Sequence, residues 1–270
     1  MAIAWLRRGP LGLGRDVLGL LALLLAAGAV GGPERSLLPV YLERDLAWAP
    51  PAIAVLSALR LLAGALSAPL ADIAGPRRTL WLGLIGLPVA ALLYLTPIAP
   101  LLVVLVLVAG LADGLQSTGS QSFLVTRASK ATIGLATGAF FVGSTLGGAL
   151  GNLGAGVVLR EAGFAGLGVA CLVAGVLVVA AAAALPSSAA RATGQRRAFV
   201  GALAPYRPLL GTPIVRQLGL LRFLSTCSWG TATLLWPLLL VRLSGDPATA
   251  ALFGTVSLIV AVAAQLGTGR

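Results

Sequence analysis

Apolar residues run through this chain in blocks long enough to span a membrane, with little polar interruption. Eight blocks stand out, at approximately 17–42, 51–70, 79–97, 100–124, 132–158, 164–185, 214–241 and 248–268. Each holds about the 20 apolar residues that a helix needs to cross the hydrocarbon core. Lipid offers backbone amides no partner, so each block must be a helix or a barrel strand. Barrel strands are shorter and alternate apolar with polar residues, which these blocks do not. A soluble bundle would carry a polar stripe at helical period, and most of the blocks have none. The pattern therefore predicts an all-α membrane protein of about eight transmembrane helices. The composition agrees, with 58% hydrophobic residues and a mean hydropathy of +0.99.

The longest polar stretch, roughly 186–212, separates six blocks from two. It predicts a six-helix bundle over 1–185, a cytoplasmic linker over 186–212 and an incomplete, two-helix second bundle over 213–270. A shift of 198 positions lays Gly32 on Gly230, Pro39 on Pro237 and Arg44 on Arg242, a weak internal echo that links the first and seventh blocks. Duplicated helical halves are a known transporter architecture.

The net charge of +11 invites a nucleic-acid reading, and its distribution argues against one. With the N-terminus inside, one side carries Arg7, Arg8, Arg15, Arg77, Arg78, Arg127, Lys130, Arg191, Arg196, Arg197, Arg207 and Arg216. The other side carries Arg44, Arg160 and Arg242, offset by Glu43, Asp45, Glu161 and Asp246. This asymmetry predicts a multi-pass protein of the cell (plasma or inner) membrane with its N-terminus in the cytoplasm, and the near-exclusive use of Arg over Lys points to a bacterial source and so to the inner membrane. The implied partners are the bilayer and a small molecule, not nucleic acid. Cys171 and Cys227 lie in apolar blocks and read as packing residues. Histidine is absent, which rules out a His-ligated metal and His-based catalysis; no cofactor or metal is expected.

Between the second and third blocks runs Ala68-Pro69-Leu70-Ala71-Asp72-Ile73-Ala74-Gly75-Pro76-Arg77-Arg78. It resembles the signature loop of the major facilitator superfamily, Gly-x-Leu-Ala-Asp-Arg-x-Gly-Arg-Arg. Asp72, Gly75, Arg77 and Arg78 match; Ala68 replaces the first Gly, and Ile73 replaces the base after the acid. In the fifth block Gly143, Gly147, Gly151 and Ala155 recur every four residues and form one smooth face. This face resembles the Gly-rich fifth helix of the superfamily's antiporters, with Asn152 where that pattern has Pro. Ordinary small-residue packing explains it as well. The resemblance implies a two-bundle secondary transporter working by alternating access, with a cavity lined by helices one, four, seven and ten. Twelve helices are usual in the superfamily, so a further C-terminal part or a second chain is expected to complete the second bundle.

Glu34 and Arg35 fall in block one, Arg60 in block two, Asp113 in block four and Arg222 in block seven. Each costs about 2.5–3.5 kcal/mol at a helix centre, while a Leu returns only about half a kcal/mol. Such charges must face protein or a wet cavity. Arg222, close to its block's end, is also placed to snorkel, and Arg60 to pair with Glu34 or Asp113. Asp113, Gln116, Ser117, Ser120 and Gln121 recur at helical spacing and share one broad face. That face suits a substrate or proton pathway, or interhelical hydrogen bonds. Pro33, just before Glu34, removes a helical hydrogen bond and leaves the Ala29 carbonyl without its donor. Trp229 and Trp236 share a face of block seven, where they stack on an apolar substrate or pack against a neighbour.

The leading expectation is a transporter whose pathway includes Glu34, Arg35, Asp113, Gln116, Ser117, Ser120 and Arg222, with Glu34 or Asp113 taking up a proton and with export as the direction. Two alternatives from other classes are a truncated or non-transporting membrane partner and an intramembrane aspartyl enzyme. The latter rests on Gly110-Leu111-Ala112-Asp113 and lacks a second catalytic Asp.

Overall fold

A computed structural model describes residues 13–185, 208 and 211–268. The side chains of Asp72, Ile73 and Arg222, and nearly all of the expected linker, lie outside the described residues. The described chain is helical: α1 (Arg15–Arg44), α2 (Pro50–Ala65), α3 (Ser67–Ala74), α4 (Pro76–Ala91, continued by a 3-10 turn at Leu92–Tyr94), α5 (Ala99–Arg127), α6 (Ile133–Ala182), α7 (Pro213–Ser244) and α8 (Ala248–Thr268). Proline opens α2, α4, α5 and α7, where its missing N–H costs nothing and its fixed φ already suits a helix.

Among the described residues, six helices are long and apolar enough to cross a bilayer: Arg15–Arg44, Pro50–Ala71, Ala99–Arg127, Ile133–Ala182, Pro213–Ser244 and Ala248–Leu266. The difference from the eight expected blocks has two causes. The third block forms α4, which has only 16 residues before the helix tightens. The fifth and sixth blocks are both contained in the 50-residue α6, where Gly163 adopts φ 65 and ψ −168. A straight helix of that length would measure about 75 Å against a core of about 30 Å. Instead α6 doubles back. Ala136, near its start, and Val178 and Ala182, near its end, share one hydrophobic cluster with Leu20, Leu84 and Phe123. Leu159 and Phe164, around the turn, belong to a second cluster with Leu37, Leu102 and Leu238. A backbone at positive φ beside an extended ψ is open essentially only to glycine.

Helix packing relies on small residues. A Cβ on Gly147 would meet the Leu25 carbonyl, and one on Gly151 would meet that of Ala29, whereas Gly143 leaves 3.8 Å to the Leu21 oxygen. Leu21, Leu25 and Ala29 are themselves four apart, so α6 lies along α1 in parallel, with the two backbones almost touching. Gly151 thereby covers the Ala29 carbonyl that Pro33 leaves without its helical donor. Gly110 and Gly114 bring α5 against the Arg60 and Gly64 carbonyls in the same manner. Large apolar side chains such as Leu62, Val125, Val157 and Leu177 are exposed on the outside, as lipid requires.

The face with the basic loops is tied by Arg127 to Asp16 at 2.6 Å and by Arg77, which donates to the Leu185 carbonyl at 3.1 Å. On the opposite face Arg242 pairs with Glu43, Arg44 donates to the Gly245 carbonyl at 3.1 Å, and Arg160 meets Asp246 at 3.0 Å. These three contacts join the α7–α8 hairpin to α1 and α6.

Candidate functional site

The intramembrane charges converge. Arg60 Nη2 lies 2.9 Å from Glu34 Oε2 and 4.0 Å from Asp113 Oδ2, and Arg35 Nη2 donates to Asp113 Oδ1 at 2.9 Å. Three helices supply the four groups: α1 brings Glu34 and Arg35, α2 brings Arg60 and α5 brings Asp113. Their convergence depends on the glycines just described, because the close approach of α5 to α2 at Gly110 places Asp113 beside Arg60. The Glu34 side chain is 7% exposed and that of Arg60 17%, whereas those of Arg35 and Asp113 are 49% and 44% exposed. The exposed pair faces internal space, since all four groups line two adjoining cavities of about 410 and 370 Å³. The buried Glu34 Oε1 and Arg60 Nε have no hydrogen-bond partner among the described residues.

The remaining expected pathway residues take different places. Gln116 lines the larger cavity and Ser117 the smaller one. Ser120 is fully buried, and its hydroxyl donates to the Gln116 carbonyl of its own helix at 2.5 Å. Trp229 of α7 lines both cavities, while Trp236 lies against Phe253, ring centroids 6.4 Å apart. In the signature loop Gly75, at φ 78, makes the turn between α3 and α4, and Arg77 caps the chain after α6. The Arg222 and Asp72 side chains lie outside the described residues.

Asn152 is a central residue that sequence reasoning noted only as a missing proline. It is 1% exposed; its Nδ2 donates to the Gly148 carbonyl at 2.9 Å, and its Oδ1 accepts from the Ser36 hydroxyl. A Cβ on Gly254 would lie 2.9 Å from its Cγ, so it locks α1, α6 and α8 together beside the larger cavity. A polar residue inside an otherwise smooth Gly face was the available signal. Tyr94, whose hydroxyl lies 3.5 Å from the Pro33 carbonyl, closes the other flank and packs with Tyr41 and Phe164.

At the opposite face Asp246 caps α8 by accepting from the Ala248 amide at 2.8 Å. That bond, with Arg160 beside it, holds the carboxyl below its usual range. Burial pushes the neighbouring Asp45 up, against the pull of Arg44.

The described residues form an all-helical, multi-pass membrane protein with a charged internal cavity between its helices. The chain belongs to the Major Facilitator Superfamily, whose family model matches residues 15–270. Members of that superfamily are transporters that handle small molecules in a lipid bilayer. No individually curated protein matches the sequence.

Proposed function

We propose that the chain is the translocating part of a secondary transporter that moves a small molecule by alternating access, coupled to protons. The observation that carries this reading is the meeting of Glu34, Arg35, Arg60 and Asp113 at the junction of two cavities that extend to α7 and, in the larger, to α8. Ionisable groups within a bilayer are retained where they line a pathway or pair along one, and here they do both. Glu34, with one oxygen bound and one free, is suited to receive a proton; Asp113 is the second acid on the path.

Eight crossings follow if the two legs of α6 are counted on either side of Gly163 and α4 is counted with its 3-10 turn. Residues 1–185 then form one bundle, 186–212 a linker, and 213–270 the start of a second bundle. The basic loops support a cytoplasmic N-terminus. The export reading draws on the likeness of the fifth block to antiporters; contact with α1 gives Gly147 and Gly151 a second reason to be glycine.

The test is reconstitution of the full chain into liposomes loaded with pyranine, followed by addition of small organic anions, cations and neutral solutes one at a time. A coupled solute shifts the internal pH, and Glu34→Gln or Asp113→Asn abolishes that shift. Unchanged solute-driven pH shifts in both variants would remove the coupling role.

A further inference from the structure

Arg60 is shared by both acids of the cluster, at 2.9 Å from Glu34 and 4.0 Å from Asp113. Asp113 is also held by Arg35. Two guanidiniums and two carboxylates sum to zero charge. The other titratable groups within electrostatic reach of Glu34 are Tyr94, from the turn after α4, and Cys171 of α6. Among the described residues that line the larger cavity, α6, α7 and α8 contribute neutral side chains, including Thr145, Asn152, Trp229 and Phe253.

Building on the proton-coupled reading above, we infer that the solute is a small organic anion, a carboxylate with an apolar or aromatic body, which binds Arg35 while a proton sits on Glu34. The proton adds to the free Oε1 and cancels the charge that holds Arg60. Arg60 then turns to Asp113, only 4.0 Å away, and Asp113 needs Arg35 less. Arg35, half exposed to the cavity, is released to grip a carboxylate with its planar fork. Protonation leaves the cluster at +1; an anion restores neutrality, whereas a cation would face two guanidiniums and raise the charge further. An unbalanced charge away from water is costly, so proton and anion favour each other's binding. Trp229 and Phe253 line the same space of about 410 Å³, which lies in the size range of small-molecule sites and suits an aromatic body. Such pairing carries solute and proton in one direction, so the inference keeps the proton coupling of the reading above and replaces its antiporter-based export.

The test is calorimetric titration of the full chain in detergent with 1-naphthoate and with tetraphenylphosphonium, from pH 5 to 8. Each titration is run in two buffers of different ionisation enthalpy so that protons are counted. The expected result is naphthoate binding with uptake of a proton, weakening about tenfold per pH unit once the coupled group is deprotonated. Arg35→Gln weakens naphthoate at least about tenfold throughout. Glu34→Gln binds naphthoate without a pH slope and without proton uptake. Tetraphenylphosphonium binding with proton release, or no naphthoate binding at pH 5, overturns the anion assignment and leaves proton coupling standing. Naphthoate binding without proton uptake by the unaltered chain overturns both the inference and the coupling reading beneath it. A slope that persists in Glu34→Gln overturns the assignment of the proton to Glu34. The two-buffer comparison needs only the unaltered chain, so it decides even where a variant fails to fold.

Discussion

Arg60→Met is the substitution that most directly probes how the buried charges hold one another. Glu34 has a side-chain exposure of 7%, accepts from Arg60 through Oε2 at 2.9 Å, and has no partner on Oε1 among the described residues. Removing the guanidinium strips Glu34 of its hydrogen-bond donor. Arg35 adjoins Glu34 in sequence, but its guanidinium is engaged at 2.9 Å with Asp113. Breaking a buried pair by removing one partner costs about 3–5 kcal/mol, because the remaining charge stays in low dielectric. At roughly 2–4 °C per kcal/mol for a chain of this size, the melting temperature in detergent should fall by roughly 6–20 °C. The double substitution Glu34→Gln/Arg60→Met leaves no orphaned charge and should recover at least half of that loss. Thermal unfolding of wild type, both single variants and the double variant forms a mutant cycle that isolates the pair. If Arg60→Met melts with wild type, or if the double variant is simply additive, the pair does not carry the energy assigned to it.

Three further outcomes are expected. Gly151→Ala should destabilise by about 1–3 kcal/mol through overpacking against the Ala29 carbonyl, while Gly143→Ala, with 3.8 Å to the Leu21 oxygen, should be near neutral; thermal melting of both checks this. Gly163→Ala should cost about 1–3 kcal/mol from backbone strain alone, because nothing lies within 4 Å of its added Cβ; a loss of monodisperse, folded protein on size exclusion would register it. Asp246→Ala removes the cap of α8 and should cost about 1 kcal/mol near neutral pH. Because the native carboxyl lies below its usual value, that advantage is complete above the unfolded value of about 3.9 and disappears as pH falls through the lower native one. Melting curves of wild type and variant should therefore converge in acid.

The helices were legible because lipid leaves the backbone no other way to satisfy its amides, and the signature loop pointed to the family. Charges forced into apolar blocks had to find one another, so Glu34, Arg35 and Asp113 were legible as a group. How they pair was not, since Arg60 had two candidate acids and in the folded chain reaches toward both. The polar face of α5 divides in a way that spacing does not reveal. Gln116 and Ser117 turn to different cavities, and Ser120 is buried one turn on, where Gly119 lets α4 approach at Leu80. The role of Asn152 was hidden because the helices it joins to its own lie far away in sequence, Ser36 by 116 positions. The reversal inside α6 was legible as two blocks parted at Arg160 and Glu161, and Gly163 accomplishes it inside what is otherwise continuous helix.

The bonds from Glu43, Arg44 and Arg160 to the α7–α8 hairpin stitch one rim of the molecule shut. Leu218 and Leu221, toward the far end of α7, are 60% and 70% bare. α7 is thus fastened at its Arg242 end and lightly covered toward its Pro213 end. Under the alternating-access reading proposed above, these three bonds are the ones that part when the passage opens on that rim.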